Sequence, residues 1–306
     1  MSNKAVGFIG LGTMGMPIAR RLLHSGFNLC VFDIDSTRIN QLLDEGAKAC
    51  NSCKEVAEYS DTVLSIVPDA EQVEEVMLSP KGVIAGAGHS HILVEMSTID
   101  PYTSRRVAER ATQKGISFID APVCLTPRHA AEGKLLILVG GKLEILQRVK
   151  HLLEVLADSI VYCGPVGSAV TMKLINNTLV QEICMALNEC LTLGVKANLD
   201  LNKMISVFKQ TAASNKVMEE VYPSSLFIGN FELGFALDWA HKDVGHMLKV
   251  AASLNVPCPI AAITHQWQSI ARSKGKGRMD HTALATVLEE MVGVSLRVEE
   301  TKIELE

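Results

Sequence analysis

Gly7-Phe8-Ile9-Gly10-Leu11-Gly12-Thr13-Met14-Gly15 is the stretch that decides the fold. It closes an apolar, β-branched run, Ala5–Ile9, and turns through glycines in G-x-G-x-x-G spacing. It then enters Met14–Ser25, where Met14, Ile18, Leu22 and Leu23 recur at helical intervals. In such a strand-turn-helix unit Gly10 allows the tight turn, Gly12 lets the backbone approach a pyrophosphate, and Gly15 lets helix and strand pack closely. The free N–H groups where the helix begins, at Met14 and after, face that anion. Alone the hexamer is a weak signal, because glycines also serve any tight turn. The second strand candidate, Asn28–Phe32, strengthens it by ending at Asp33, whose carboxylate can accept from both ribose hydroxyls of adenosine and repels a 2′-phosphate. NAD is therefore the expected cofactor, with NADP less favoured and Arg38 the residue that could still reach a phosphate.

Further along, Thr62–Ile66, Ile92–Met96, Ser117–Asp120 and Leu135–Val139 read as strands alternating with amphipathic helices, up to about Leu156. That alternation predicts a parallel sheet covered by helices. Gly26, Gly46 and Gly115 fall where helices should stop. After Gly167 the strand signal disappears. Ser168 to about Ala197, Leu201–Lys209, Asn215–Glu220, Lys242–Leu254, Pro259–Ala271 and Thr282–Val292 all read as helix. The expected architecture is an α/β Rossmann domain, residues 1–165, followed by an all-α domain, residues 166–306. The connector itself is a helix of roughly thirty residues, about 45 Å long.

The 306 residues, 48% hydrophobic and 21% charged, suffice to bury a sizeable core. A net charge of -5 argues against nucleic acid, which demands a basic face. No run of eighteen apolar residues suggests a membrane span. Met1-Ser2-Asn3-Lys4 leads straight into the first strand and reads as part of the fold, not as a secretion signal. Eight scattered cysteines, mostly in apolar segments, read as free thiols in a reducing cytosol, so a cytoplasmic location is expected. Cys50-x-x-Cys53 has no second pair, and the histidines show no H-x-x-x-H spacing, so no metal is expected. Arg297–Glu306 reads as a solvated end.

Gly164-Pro165-Val166-Gly167 precedes the connector helix, which presents Lys173, Asn176 and Asn177 at spacings that put lysine and amides on one face. A polar triad within the apolar stretch Val170–Leu179 is costly unless something binds there. Reduction of a carbonyl by a nicotinamide needs a proton for the developing alkoxide, which a lysine can supply as general acid. A snorkelling lysine and two helix-bending asparagines would show the same spacing. The position at a domain junction, opposite a dinucleotide site, favours the functional reading, since clefts between domains bind such substrates.

Taken in order, these residues resemble the β-hydroxyacid dehydrogenase family, which includes 3-hydroxyisobutyrate dehydrogenases and tartronate semialdehyde reductases. The resemblance rests on Gly7-Phe8-Ile9-Gly10-Leu11-Gly12-x-Met14-Gly15, Met96-Ser97-Thr98, Asp120-Ala121-Pro122-Val123, Gly164-x-x-Gly167 with Lys173-x-x-Asn176-Asn177, and His241-Lys242-Asp243. It implies a helical domain like the C-terminal domain of 6-phosphogluconate dehydrogenase, and a homodimer or homotetramer. By the same resemblance Lys173 is the acid/base, Asn177 orients the substrate and Asn176 supports it. Val67, Pro68 and Thr98 border the cofactor, and Lys242 closes the cleft. Ser97-Thr98 would also suit an ordinary turn, and His241-Lys242-Asp243 a helix start.

One departure bears on the substrate. Where the family continues Asp-x-Pro-Val with Ser-Gly-Gly to hold a carboxylate, this chain has Cys124-Leu125-Thr126-Pro127-Arg128-His129. The altered loop, with Lys173-Leu174-Ile175-Asn176-Asn177 and Ala240-His241-Lys242-Asp243, resembles the branch containing sulfolactaldehyde reductase. That branch uses an arginine where Leu125 stands here, and only Thr126 matches. Arg128 could supply the charge from a neighbouring position or could face solvent; its planar guanidinium suits a carboxylate or sulfonate. The resemblance implies interconversion of a small anionic aldehyde, of semialdehyde or sulfolactaldehyde type, and its hydroxyacid. A 3-hydroxyisobutyrate or tartronate semialdehyde type of substrate, or a non-catalytic dinucleotide sensor, are the alternatives.

Overall fold

The computed structural model describes residues 5–232 and 234–298. Met1-Ser2-Asn3-Lys4 and residues 299–306 of the expected solvated end lie outside the described residues. Among the described residues nine strands form one sheet: β1 (Ala5–Ile9), β2 (Leu29–Phe32), β3 (Lys48–Ala49), β4 (Ser60–Ser65), β5 (Ile92–Glu95), β6 (Ser117–Asp120), β7 (Val123–Cys124), β8 (Leu135–Gly141) and β9 (Ala157–Gly164). Their order is β3-β2-β1-β4-β5-β6-β8-β7, with β9 also paired to β8. From β3 to β6 every pairing is parallel, whereas β8 runs antiparallel to β6 and β7. The order reverses between β1 and β4, the point at which open parallel sheets bind dinucleotides beyond their carboxyl ends.

Around the sheet lie α1 (Gly15–His24), α2 (Ser36–Leu43), α3 (Cys53–Tyr59), α4 (Ala70–Leu78), α5 (Val83–Gly86), α6 (Pro101–Gln113), α7 (Pro127–Glu132) and α8 (Leu143–Leu153). Both sheet faces are buried, which is why the strands read as continuous apolar runs. Phe8, Leu64 and Val94 pack on one side with Ile18 and Leu22 of α1. Their chain neighbours Ile9, Val63 and Leu93 pack on the other with Val56, Met77 and Val107.

The helical part comprises α9 (Ser168–Lys196), α10 (Leu201–Lys209), α11 (Leu237–Ser253), α12 (Pro259–Ser273) and α13 (Ala285–Val292). The helix expected at Asn215–Glu220 is instead a wide π-type turn, Val217–Val221, followed by 3-10 turns at Tyr222–Ser224 and Leu226–Ile228. Pro223, lacking an N–H, cannot extend a regular helix through this segment. Tyr222, fully buried, donates to Asn188 Oδ1 at 2.7 Å and anchors the turns against α9. Arg297, expected in the solvated end, is held by both oxygens of Glu289 at 2.9 and 3.1 Å.

The chain divides into two compact units, Met1–Leu174 and Ile175–Glu306. The division falls inside α9, because Ala169 and Val170 in its first turn belong to the apolar clusters of the sheet unit. Among the described residues no helix is long and apolar enough to cross a membrane.

Candidate active site

The turn after β1 is packed backbone against backbone. Gly10 has φ +91°, and a Cβ there would lie 2.1 Å from the Ile66 carbonyl oxygen, while one at Gly15 would lie 1.8 Å from that of Gly10. Gly12 differs: a Cβ there would meet only Arg38 Nη1, at 3.7 Å, so its backbone presents an open face that an approaching phosphate can use. Asp33 is clamped over this turn, Oδ2 accepting from Leu11 N at 2.6 Å and Oδ1 from Asp35 N at 2.8 Å. Arg38 pairs with Asp35 at 3.2 Å and lies 3.9 Å from Asp33. These residues fit the adenosine and pyrophosphate of a dinucleotide.

Two further loops at the carboxyl ends of β4 and β5 are tied together by Glu95, which is fully buried. Its carboxyl accepts from Ser65 Oγ and, at 2.7 Å, from Ser97 N, and Ser97 Oγ accepts from Val67 N at 2.8 Å. Val67-Pro68 and Ser97-Thr98 are thereby held on one support. Burial pushes the Glu95 carboxyl up to about 7, with Asp120 adding repulsion.

Asp120 ends β6 and clamps the start of α9. Its Oδ1 accepts from Gly167 N at 2.8 Å and its Oδ2 from Val170 N at 3.0 Å. Burial raises its carboxyl above the usual range despite these donors. One turn further along α9, Lys173 is 8% exposed, and its Nζ donates to Cys124 Sγ at 3.7 Å.

The altered loop follows Cys124. Leu125 adopts φ +80°, a conformation that favours glycine. Thr126 Oγ1 lies 2.8 Å from His129 Nδ1. Of the two orientations open for Arg128, the structure shows the solvent-facing one: its side chain is 85% exposed and pairs with Glu132 at 2.9 Å. Arg128 and Lys134 together pull the Glu132 carboxyl down to about 2.

In the helical unit, Asn177 Nδ2 donates to Asp243 Oδ2 at 2.7 Å, and Asn176 Nδ2 lies 3.3 Å from Asn177 Oδ1. Lys242 Nζ is 3.5 Å from Asp243 Oδ1, and Asp243 is 1% exposed. His241-Lys242-Asp243 is not a helix start, since α11 begins at Leu237 and carries these residues in its second turn. Asp243, Asp120 and Glu95 were given no role from the sequence. Their contacts to Ser65, Gly167, Val170 and Asn177 span 30 to 66 residues of chain, and only the motif membership of Asp120 and Asp243 marks them.

Among the described residues no three His, Cys, Asp or Glu side chains gather to hold a metal ion. All eight cysteines are free, and burial pushes the Cys53 thiol up to about 12, far from a reactive thiolate.

Residues 5–164 match the family model for the NAD binding domain of 6-phosphogluconate dehydrogenase. Residues 167–288 match the model for the NAD-binding region of NADP-dependent 3-hydroxyisobutyrate dehydrogenase. The chain is 34% identical over 291 residues to 2-(hydroxymethyl)glutarate dehydrogenase of Eubacterium barkeri, covering 95% of this chain and 97% of the relative. It is 31% identical over 294 residues to 3-sulfolactaldehyde reductase of Escherichia coli, covering 96% and 99%. The structure of Mycobacterium tuberculosis 3-hydroxyisobutyrate dehydrogenase shares the fold with a TM-score of 0.86 at 24% identity, over 93% of this chain and 99% of that one.

Proposed function

Since the chain belongs to the β-hydroxyacid dehydrogenase family, we propose that it is an NAD-dependent oxidoreductase interconverting a small anionic aldehyde, of semialdehyde or sulfolactaldehyde type, and its hydroxyacid. The observation that carries this reading is Lys173, a lysine more than nine-tenths buried on a helix whose first turn is clamped by a buried carboxylate. A lysine held out of water at the start of such a helix serves proton transfer better than solubility.

When bound, the nicotinamide supplies or accepts hydride. Gly10, Gly12, Met14 and Gly15 would hold the pyrophosphate, and Asp33 the adenosine ribose. Val67, Pro68, Thr98 and Lys242 would hold the nicotinamide end. Asp33, locked by two backbone donors, supports NAD over NADP, as does the engagement of Arg38 with Asp35. Lys173 gives a proton to the substrate oxygen in reduction and takes it in oxidation. Asn177 has its amide nitrogen committed to Asp243, so its Oδ1 is the end that can accept from a substrate hydroxyl, with Asn176 supporting it.

The names of the two relatives describe a dicarboxylate and a sulfonate, which supports an anionic group on the substrate away from the reacting carbon. Thr126 and Arg128 would meet that anion, Arg128 exchanging Glu132 for the substrate. In this reading residues 1–165 bind the cofactor, and residues 166–306 serve the substrate and self-association as a cytoplasmic homodimer or homotetramer. Exposed Ile260, Ile263 and Ile270 on α12 support the self-association.

Oxidation of NADH and NADPH should be measured with succinic semialdehyde, sulfolactaldehyde, methylmalonate semialdehyde and tartronate semialdehyde. Turnover of the first two with NADH is expected. Exclusive turnover of the last two would overturn the role given to Thr126 and Arg128. Lys173→Ala should lower kcat by about 10²–10⁴-fold while NADH binding persists. Retained turnover would remove the lysine from the mechanism.

A further inference from the structure

Cys124 Sγ and Lys173 Nζ are 3.7 Å apart, and both side chains are more than nine-tenths buried. Neither is placed by chance packing of a flexible loop. Val123 and Cys124 pair with Ile137 and Leu136 of β8, and Lys173 follows the turn of α9 pinned by Asp120. A thiol is a weak hydrogen-bonding partner for an amine, so this contact stabilises Lys173 less than a hydroxyl or carboxylate would. What it supplies is proximity, a nitrogen nucleophile held against a sulfur atom.

We propose that Cys124 and Lys173 form an oxidation site, where a hydroperoxide joins the two side chains as a sulfenamide and a small thiol separates them again. The Cys124 thiolate attacks one peroxide oxygen, the O–O bond breaks, and water or an alcohol leaves after taking up a proton. Sulfur has then lost two electrons to the peroxide and carries a hydroxyl. The neutral Lys173 amine attacks that sulfur, an S–N bond forms, and the hydroxyl leaves with the amine proton as water. The flexible lysine stem lets Nζ close the remaining distance. For release, a thiolate attacks the sulfur and the S–N bond breaks. Nitrogen takes up a proton, and a second thiol resolves the mixed disulfide.

Loss of turnover on linkage rests on the acid/base role proposed for Lys173, whereas the linkage itself does not. Cys163 packs in the same small cluster as Cys124, so a Cys124–Cys163 disulfide is the rival product. Burial raises the Cys163 thiol, which disfavours its thiolate.

The experiment treats the purified enzyme with hydrogen peroxide, alkylates remaining thiols, and maps peptides by mass spectrometry alongside activity. The expected product is a Cys124–Lys173 linked peptide lighter by two hydrogen atoms. Turnover should fall about a hundredfold or more, and dithiothreitol should reverse both. Cys163→Ser should give the same linked peptide. Cys124→Ser should show neither the link nor a thiol-reversible loss relative to its own untreated rate. Peroxide-treated protein in which Cys124 is found only as sulfinic acid, or joined to Cys163, overturns the site. A linked peptide in an enzyme that keeps its full rate supports the site and overturns the role of Lys173 in turnover.

Discussion

Asp243 Oδ2 accepts from Asn177 Nδ2 at 2.7 Å, and this contact decides which end of the asparagine amide remains for another partner. An ionised carboxylate only accepts, so the amide nitrogen must face it and the carbonyl oxygen must face away. Asp243→Ala leaves the amide free to turn. A hydrogen bond to a charged group contributes about 1.5–3 kcal/mol, so kcat/KM should fall about 10–100-fold. If Asp243 acts through Asn177, the double variant with Asn177→Ala should be little worse than Asn177→Ala alone. Fully additive losses in that cycle would separate the two residues.

Gly140 stands opposite Asp120 in the β6–β8 register, and a Cβ there would come within 2.6 Å of Asp120 Oδ1. Gly140→Ala should therefore displace the carboxylate that holds Gly167 and Val170, and with it the turn that leads to Lys173. Overpacking of this kind costs about 1–3 kcal/mol, and kcat should fall with it. Differential scanning calorimetry and single-turnover kinetics test this together; an unchanged Tm and rate would mean that the clamp tolerates displacement.

Glu95 makes stability depend on pH in a definite direction. Burial raises its carboxyl from an ordinary 4.5 to about 7, so the folded state favours the protonated form. Its stabilising contribution is complete below pH 4.5 and is lost as pH rises through about 7, after which it is flat. The gap corresponds to about 3 kcal/mol. Glu95→Gln mimics the protonated acid and should flatten the stability profile across that window. Urea unfolding at a series of pH values reads this out, and an identical slope in both proteins would rule out Glu95 as its source.

Asp33→Ser removes the carboxylate that receives Leu11 N and Asp35 N and leaves Arg38 nearer a 2′-phosphate. The ratio of kcat/KM with NAD to that with NADP should drop about tenfold or more. An unchanged ratio would place cofactor choice elsewhere.

The glycine turn, six of the strands and the long helix after Gly167 were legible because each carries a local signature of spacing or period. β9 was not: Ile160-Val161-Tyr162-Cys163 is apolar, but the strand pairs only with β8 at an edge and half of its residues are exposed, so no buried pattern of the inner-strand kind marks it. β3 and β7, two residues each, are too short to show any period. At the site, Lys173, Asn176 and Asn177 stood out as polar residues in an apolar helix. Their partners Cys124 and Asp243 lie 49 and 66 residues away, and no spacing rule links positions so far apart. The solvent-facing pairing of Arg128 with Glu132 is an i,i+4 contact, yet α7 is so short that its helical spacing was not visible.

α9 runs unbroken through the division between Leu174 and Ile175. For the construction of chimeras this means that the chain has no usable joint where its compactness divides, because a junction there would splice two half-helices whose side-chain registers must agree. The workable joint is the glycine-bounded stretch Gly164–Gly167, ahead of the helix. A helical part transplanted from a relative at that joint brings its own residues at positions 173, 176 and 177, so those three would be inherited together from one parent while the dinucleotide turn comes from the other.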